Sequence, residues 1–209
     1  MFGLLRKSLP ESREAPLVKG RLILCQPIME HWSDWAQLRS ESRNFLQPWE
    51  PTWPRDSLTQ AAFRRRLRNH ARDRETGAGF SFLVFRAEDD ALLGGVTLSE
   101  IRRGVAQAAT IGYWIGERYG RMGYMSEAVE CVIAHVFDTL DLHRLEAACL
   151  PVNEPSRRLL EGRGFRMEGL AQSYLKIDGS WRDHLLFALI DSDWRERKAR
   201  ERHEELSGR

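Results

Sequence analysis

Between residues 108 and 150 the hydrophobic pattern changes period twice, and no other feature restricts the fold so strongly. "AATIGYWIG", 108–116, reads as a strand. Met125, Ala128, Val129, Val132, Ile133, Val136 and Leu140 then recur at helical spacing, which predicts a helix of about four turns. "HRLEAACL", 143–150, reads as a strand again. If the two strands are parallel, the helix joins them as a right-handed crossover. The loop entering the helix then faces a ligand together with the helix N-terminus. That loop lies within "GERYGRMGYMSEAVE", 116–130.

Free N–H groups at a helix start carry roughly half a positive charge and point outward. Gly120 and Gly123 remove side chains that would keep a ligand at a distance, and Arg118 and Arg121 add positive charge. A pyrophosphate suits such a place. The stretch has neither G-K-[ST] nor G-x-G-x-x-G, and a plain strand-to-helix turn explains it equally well when taken alone.

The flanking sequence supplies the rest of a mixed α/β domain. "VKGRLILCQPI", 18–28, is β-rich, and "MEHWSDWAQLRSESRNFL" follows with helical spacing. "QPWEPTWPRDS" ends that helix. Ser57 and Gln60 fit a capping box for the next one, with Leu58, Ala62 and Leu67 on one side and Arg64, Arg65, Arg66 and Arg68 on the other. Segments 79–87, 91–101 and 108–116 form an antiparallel meander. "NEPSRRLLEGRGF", 153–165, is a short helix with Asn153 as N-cap and Gly164 at its stop. Two strands around Asp178-Gly179 close the domain, and a charged tail follows Trp194. Asn153 and Ser156 fall at the same sheet edge as the glycine loop.

Three motifs in this order carry a resemblance. "YGRMGYMSEA" resembles the acyl-CoA pyrophosphate loop of the GNAT acetyltransferase superfamily, and "NEPSRRLLEGRGF" resembles its N-x-x-S-x-x-L-L-E-x-x-G-F segment. "IRRGVAQAATIGYWIGE" and "YLKIDGSWRDHLLFAL" are similar to the RimJ-like branch, which acetylates the N-terminal alanine of a small-subunit ribosomal protein. The similarity runs from about residue 18 to 194. It implies an α+β fold with a mostly antiparallel sheet whose central parallel strands splay apart to admit pantetheine. It implies acetyl-CoA as co-substrate and a protein N-terminus as acceptor. Tyr113, Trp114 and Ile115 would line the pantetheine arm with their backbone groups. Arg121, Met122, Gly123, Tyr124, Met125 and Ser126 would surround the pyrophosphate, and Asn153 and Ser156 would approach the thiol. The chain departs from the superfamily at Gly120, where Gln or Arg is usual, and at Met125, where Gly or Ala is usual. Close relatives often carry glycine where Arg121 stands. The tyrosine that many members carry on the helix after the asparagine is Leu160 here.

The chemistry needs a neutral amine. A protein α-amine has a pKa near 8, so roughly a tenth is neutral at pH 7, whereas lysine titrates near 10.4. An α-amine therefore makes a strong base optional. Ser156 is the candidate for protonating or orienting the departing sulfur, or it is simply a first-turn serine that caps its helix. Glu100 is the candidate base, acting through water, or a solvated carboxylate at a turn. Trp32, Trp35, Trp49 and Trp53 form either a lid or core packing, and His184 reads as structural. Two other functions fit the same residues: acetylation of a small amine such as a polyamine or antibiotic, and non-catalytic acyl-CoA binding.

Composition bounds these readings. With 32 basic and 30 acidic residues among 209, the charge balance argues against dedicated, sequence-specific nucleic-acid binding. The Arg64–Arg68 run is either a solvated face or a contact for ribosomal RNA or an acidic partner. Cys25, Cys131 and Cys149 show no paired spacing, and the six histidines show no metal pattern. Reduced thiols, a leader over 1–17 without signal-peptide character and no apolar run near the roughly 20 residues of a membrane span predict a cytoplasmic protein. The sequence leaves a homodimer open. The expected layout is a leader (1–17), a transferase domain (18–194) and a charged tail, helical or disordered (195–209).

Overall fold

The computed structural model describes residues 15–207, so nearly all of the expected leader lies outside the described residues. One sheet of eight strands runs in the order β1-β2-β3-β4-β5-β6-β8-β7. Its strands are β1 (Leu17–Lys19), β2 (Leu22–Cys25), β3 (Phe80–Arg86), β4 (Leu92–Arg102), β5 (Ala108–Ile115), β6 (Arg144–Cys149), β7 (Arg166–Ile177) and β8 (Ser180–Ile190). Every neighbouring pair is antiparallel except β5–β6, which is parallel. Among the described residues the α-helices are α1 (Trp32–Glu41), α2 (Arg43–Leu46), α3 (Gln60–Glu75), α4 (Tyr124–Ala134), α5 (Glu154–Gly162) and α6 (Asp191–Ser207).

Alternation along β5 divides the two faces. Ala109 and Ile111 point into the larger core, with Ala128, Val129, Val132 and Ile133 of α4 and Leu160 of α5. Trp114 points to the other face, where Trp35 and Leu38 of α1 and Phe63 of α3 pack on Leu83, Phe85 and Leu92. Burying each such aliphatic or aromatic side chain contributes roughly 1.5–3 kcal/mol. The stripe that α4 shows at helical spacing is therefore what fixes that helix across β5.

Several expected boundaries shift for local reasons. The first strand is a hairpin, because Gly20 turns the chain at φ 54°. The helix expected after Met29 breaks into a 3-10 turn, α1, α2 and a second 3-10 turn containing Pro48. The α3 cap is Thr59, whose Oγ1 accepts from the Ala62 amide at 3.2 Å, in place of the Ser57–Gln60 box. Phe63, 1% exposed, is the buried anchor of α3, while Leu58 and Leu67 pack at its margin. Arg65 pairs with Asp56, whereas Arg66, one turn on from Phe63 and on the same side, stacks 5.5 Å from the Trp35 ring, so the arginine run does not share one solvated face. The long central helix opens into a π-helical turn at His135–Thr139. Within α6, Trp194 is 4% exposed and packs 5.4 Å from Phe137.

Candidate active site

β5 leads through a 3-10 turn, Glu117–Tyr119, into the glycine loop. Gly123 is the N-cap of α4 at φ 82°, and it offers no side chain to cap the helix. The first N–H groups of α4 thus lack a side-chain acceptor, and their partial positive charge is available to an anion. Arg121 also sits in the left-handed region, at φ 61°. A Cβ is uncomfortable there, which accounts physically for the glycine of related loops. Arg121 and Met122 are exposed, whereas Tyr124 and Met125 turn their side chains into the core. Tyr124 and Met125 can therefore meet a phosphate only through their backbone, and Ser126 lies half-buried in the first turn. Arg118 forms an exposed pair with Glu41 at 3.2 Å. Arg21 holds the loop from outside, stacking 4.1 Å from the Tyr124 ring centroid and bonding the Met122 carbonyl at 2.6 Å.

The parallel strands β5 and β6 pair only at Ala108↔Arg144, Ala109↔Leu145 and Thr110↔Glu146. Beyond Thr110 they part. The Gly116 amide bonds Leu93 O, and Ile115 stands opposite Gly94. By antiparallel alternation, Trp114 then exchanges its backbone bonds with Gly95 on β4, while Tyr113 and Ile115 turn theirs toward the opening. Trp114 is thereby corrected: its backbone is spent on β4 and its ring packs with α1. The unpaired edge from Thr110 to Ile115 spans about 17 Å at roughly 3.3 Å per residue. It connects the closed end of the opening with the glycine loop.

α5 borders the opening from the end of β6. Asn153 caps this helix, its Oδ1 accepting from the Ser156 amide at 3.2 Å. Gly164, at φ 89°, ends the helix as expected. The Ser156 Oγ lies 2.8 Å from the Tyr113 hydroxyl. Burial raises the Tyr113 phenol well above its ordinary range, with Ser156 drawing it partly back. Cys149 is raised by burial in the same way, again with Ser156 opposing the shift. Three groups that can carry a hydrogen thus gather beside the opening.

Glu100 lies at the far end of the opening from the glycine loop. β4 continues past it to Arg102 through an irregularity, and Glu100 takes φ 52° there. Its Oε2 accepts from Thr110 Oγ1 at 3.1 Å, which places it at the closed end, beside the last β5–β6 pair. Thr110 and Gly112 alternate with Ile111, so they face away from α4. Gly112 is exposed, and a Cβ there would meet nothing within 4 Å.

Beside this face the segment after α2 is tied down. Arg39 and Glu50 form an ion pair with 9% and 20% side-chain exposure. Arg39 stacks on Trp53 at 4.4 Å and Trp114 at 4.9 Å, and Trp53 Nε1 donates to Glu50 Oε2 at 2.7 Å. The Asp178 amide donates to Glu50 O at 3.0 Å, so the β7–β8 turn closes onto the same segment. Sequence reading missed this group, since only the tryptophan and proline density of 47–57 hinted at it. Of the four tryptophans, Trp35 is core, Trp32 bonds Leu58 O, and Trp53 joins the ion pair. His184 is buried and bonds Arg182 O. Among the described residues no cluster of His, Cys, Asp and Glu has the makings of a metal site, and no helix is long and apolar enough to cross a membrane.

Proteins of similar sequence and fold bear on this site. Residues 21–166 match the family model of the acetyltransferase (GNAT) domain. The Escherichia coli [ribosomal protein uS5]-alanine N-acetyltransferase is 34% identical over 93% of this chain and 98% of its own length. The Vibrio fischeri ribosomal-protein-S5-alanine acetyltransferase superposes with a TM-score of 0.80 at 30% identity, covering 87% of this chain and 99% of that one. Mycobacterium smegmatis RimJ, solved in complex with CoA-disulfide, gives a TM-score of 0.78 at 30% identity over 82% of this chain and 83% of that one. Sequence, fold and the parted strands agree: this chain belongs to the GNAT acetyltransferase family and is an N-acetyltransferase.

Proposed function

We propose that the protein acetylates the N-terminal α-amine of a protein, an alanine in the first instance, with acetyl-CoA as donor. The observation that carries this reading is the opening between β5 and β6, with the α4 N-terminus at its wide end and Glu100 at its closed end. The names of the similar enzymes from E. coli and V. fischeri support the alanine acceptor.

In this reading the N–H groups from Gly123 to Ser126 hold the pyrophosphate, with Arg121 beside it. Tyr113 and Ile115 bond the pantetheine amides in place of a neighbouring strand. Acetyl-CoA supplies an acyl group activated as a thioester. Asn153 sets the start of α5, and Ser156 offers its hydroxyl to the sulfur. Glu100 takes up a proton from the incoming amine through water. Gly112 leaves room for the acceptor on the face away from α4, bordered by the joined 47–57 segment and β7–β8 turn. Cys25, Cys131 and Cys149 are all free and buried, which suits the cytoplasm where such an acceptor is made.

Turnover of a panel with acetyl-CoA tests this reading. Peptides starting with free alanine should outpace blocked peptides, polyamines and aminoglycosides. Preference for a small amine would replace the acceptor, and absence of turnover with every amine would leave acyl-CoA binding alone.

A further inference from the structure

Ser156 has one hydroxyl hydrogen and must direct it somewhere. Its amide is committed to Asn153 Oδ1, so its backbone is fixed by the cap. Its Oγ is 2.8 Å from the Tyr113 hydroxyl, and either oxygen can donate in that bond. A serine oxygen accepts one hydrogen bond while donating its own. If Tyr113 donates, the Ser156 hydrogen is released to the remaining side, where the Cys149 thiol at the end of β6 is its partner until a second sulfur enters the opening. α5 itself offers no second hydroxyl from the next turn, because Leu160 is apolar and fully buried.

We propose that Tyr113 is a positioning residue that donates to Ser156 Oγ and thereby turns the Ser156 hydrogen toward the departing sulfur. Burial keeps Tyr113 a phenol through the working pH range, so the donor is always loaded. The bookkeeping of the reaction needs no proton from Tyr113. The acceptor nitrogen forms the new C–N bond, the C–S bond breaks, and sulfur leaves with the electron pair. Glu100 takes the proton lost by that nitrogen and gives it up to water, from which one proton ends on sulfur, while the Ser156 hydrogen bond stabilises the negative charge as it develops. This inference rests on the assignment of Ser156 to the thiol end.

The test compares Tyr113→Phe, Ser156→Ala and the double variant, each checked for an unchanged melting temperature. Tyr113→Phe should lower kcat about 10-fold and leave the acetyl-CoA KM within about 2-fold, as expected for losing one buried hydrogen bond to a reacting centre. The double variant should be no slower than Ser156→Ala, because Tyr113 acts only through Ser156. A second reading avoids turnover: calorimetric titration with free CoA from about pH 7 to about pH 10 reports the bound thiol's ionisation. The bound thiol should ionise at lower pH in the parent than in Tyr113→Phe. Parent-like kcat in Tyr113→Phe, multiplicative losses in the double variant, or identical thiol titrations would each overturn the inference. Parent-like kcat in Ser156→Ala would overturn the Ser156 assignment itself.

Discussion

Arg21 Nη2 donates to the Met122 carbonyl at 2.6 Å while its Nε donates to Glu127 Oε1 at 3.0 Å. The β1–β2 hairpin thus holds the glycine loop through a residue more than a hundred positions away. The ion pair is about half exposed, with 47% and 35% side-chain exposure, and such pairs add at most about 1 kcal/mol to stability. Arg21→Ala should therefore leave the melting temperature nearly unchanged. It should weaken acetyl-CoA about 3- to 10-fold, the equivalent of one hydrogen bond to an ordered loop. Calorimetry of CoA binding and a thermal melt together check this.

Gly112→Leu places a side chain in the open space proposed for the acceptor. The position pairs with Thr97 inside a regular strand, and its φ is not positive. Stability should hold or rise by up to about 1 kcal/mol, since glycine weakens strands. Peptide kcat/KM should fall at least about 10-fold through steric exclusion worth about 1.4 kcal/mol or more. Acetyl-CoA affinity should stay at the parental value. Steady-state kinetics with each substrate varied in turn separates the two effects.

Removing Glu50 strands Arg39, which is nearly buried against Trp53 and Trp114. Glu50→Ala should cost about 2–3 kcal/mol, toward the low end for broken buried pairs because Glu50 keeps some solvent contact. The β7–β8 turn loses no bond directly, because Asp178 uses the Glu50 backbone oxygen. The 47–57 segment nevertheless loosens, so acceptor KM should rise more than acetyl-CoA KM. Urea unfolding and two-substrate kinetics measure the two losses.

His70 is lowered from 6.5 to about 4, chiefly by burial and then by neighbouring Arg66. Asp73 opposes the shift and Arg74 adds to it. The unfolded chain therefore takes up a proton that the folded chain refuses between these two values. Stability should fall as pH drops from 6.5 toward 4 and flatten below that. The contribution is about 2 kcal/mol once partial solvent screening is allowed for. His31 is lowered in the same direction, so His70→Asn should reduce the acid slope of urea-unfolding free energy without abolishing it.

The parts of this molecule legible in the sequence are those set by period and by local turn chemistry. Met125, Ala128, Val129 and Val132 announced α4 because one helix face meets one core. Asn153 and Gly164 announced the ends of α5 because caps depend on residues a few positions apart. The position of Glu100 at the closed end is not legible, because nothing local reveals that β4 continues past it with a bulge. Trp114 was given a backbone role that strand alternation assigns to its neighbours. Arg21–Met122, Arg39–Glu50 and Tyr113–Ser156 escaped notice for one physical reason. Each joins elements whose relative placement exists only after the sheet has formed.

The most direct test of the acceptor assignment is where the acetyl group lands. A peptide with a free N-terminal alanine and one internal lysine is incubated with the enzyme and acetyl-CoA, then sequenced by tandem mass spectrometry. An α-amine with a pKa near 8 has a neutral fraction at pH 7 roughly two-hundredfold larger than a lysine near 10.4. Glu100 is exposed and bonds Thr110 Oγ1, and the proposed reading assigns it to the proton of the former. The account predicts acetyl on the alanine nitrogen and little on lysine, and none on the same peptide with a blocked N-terminus. Acetyl on lysine at a comparable rate would contradict it.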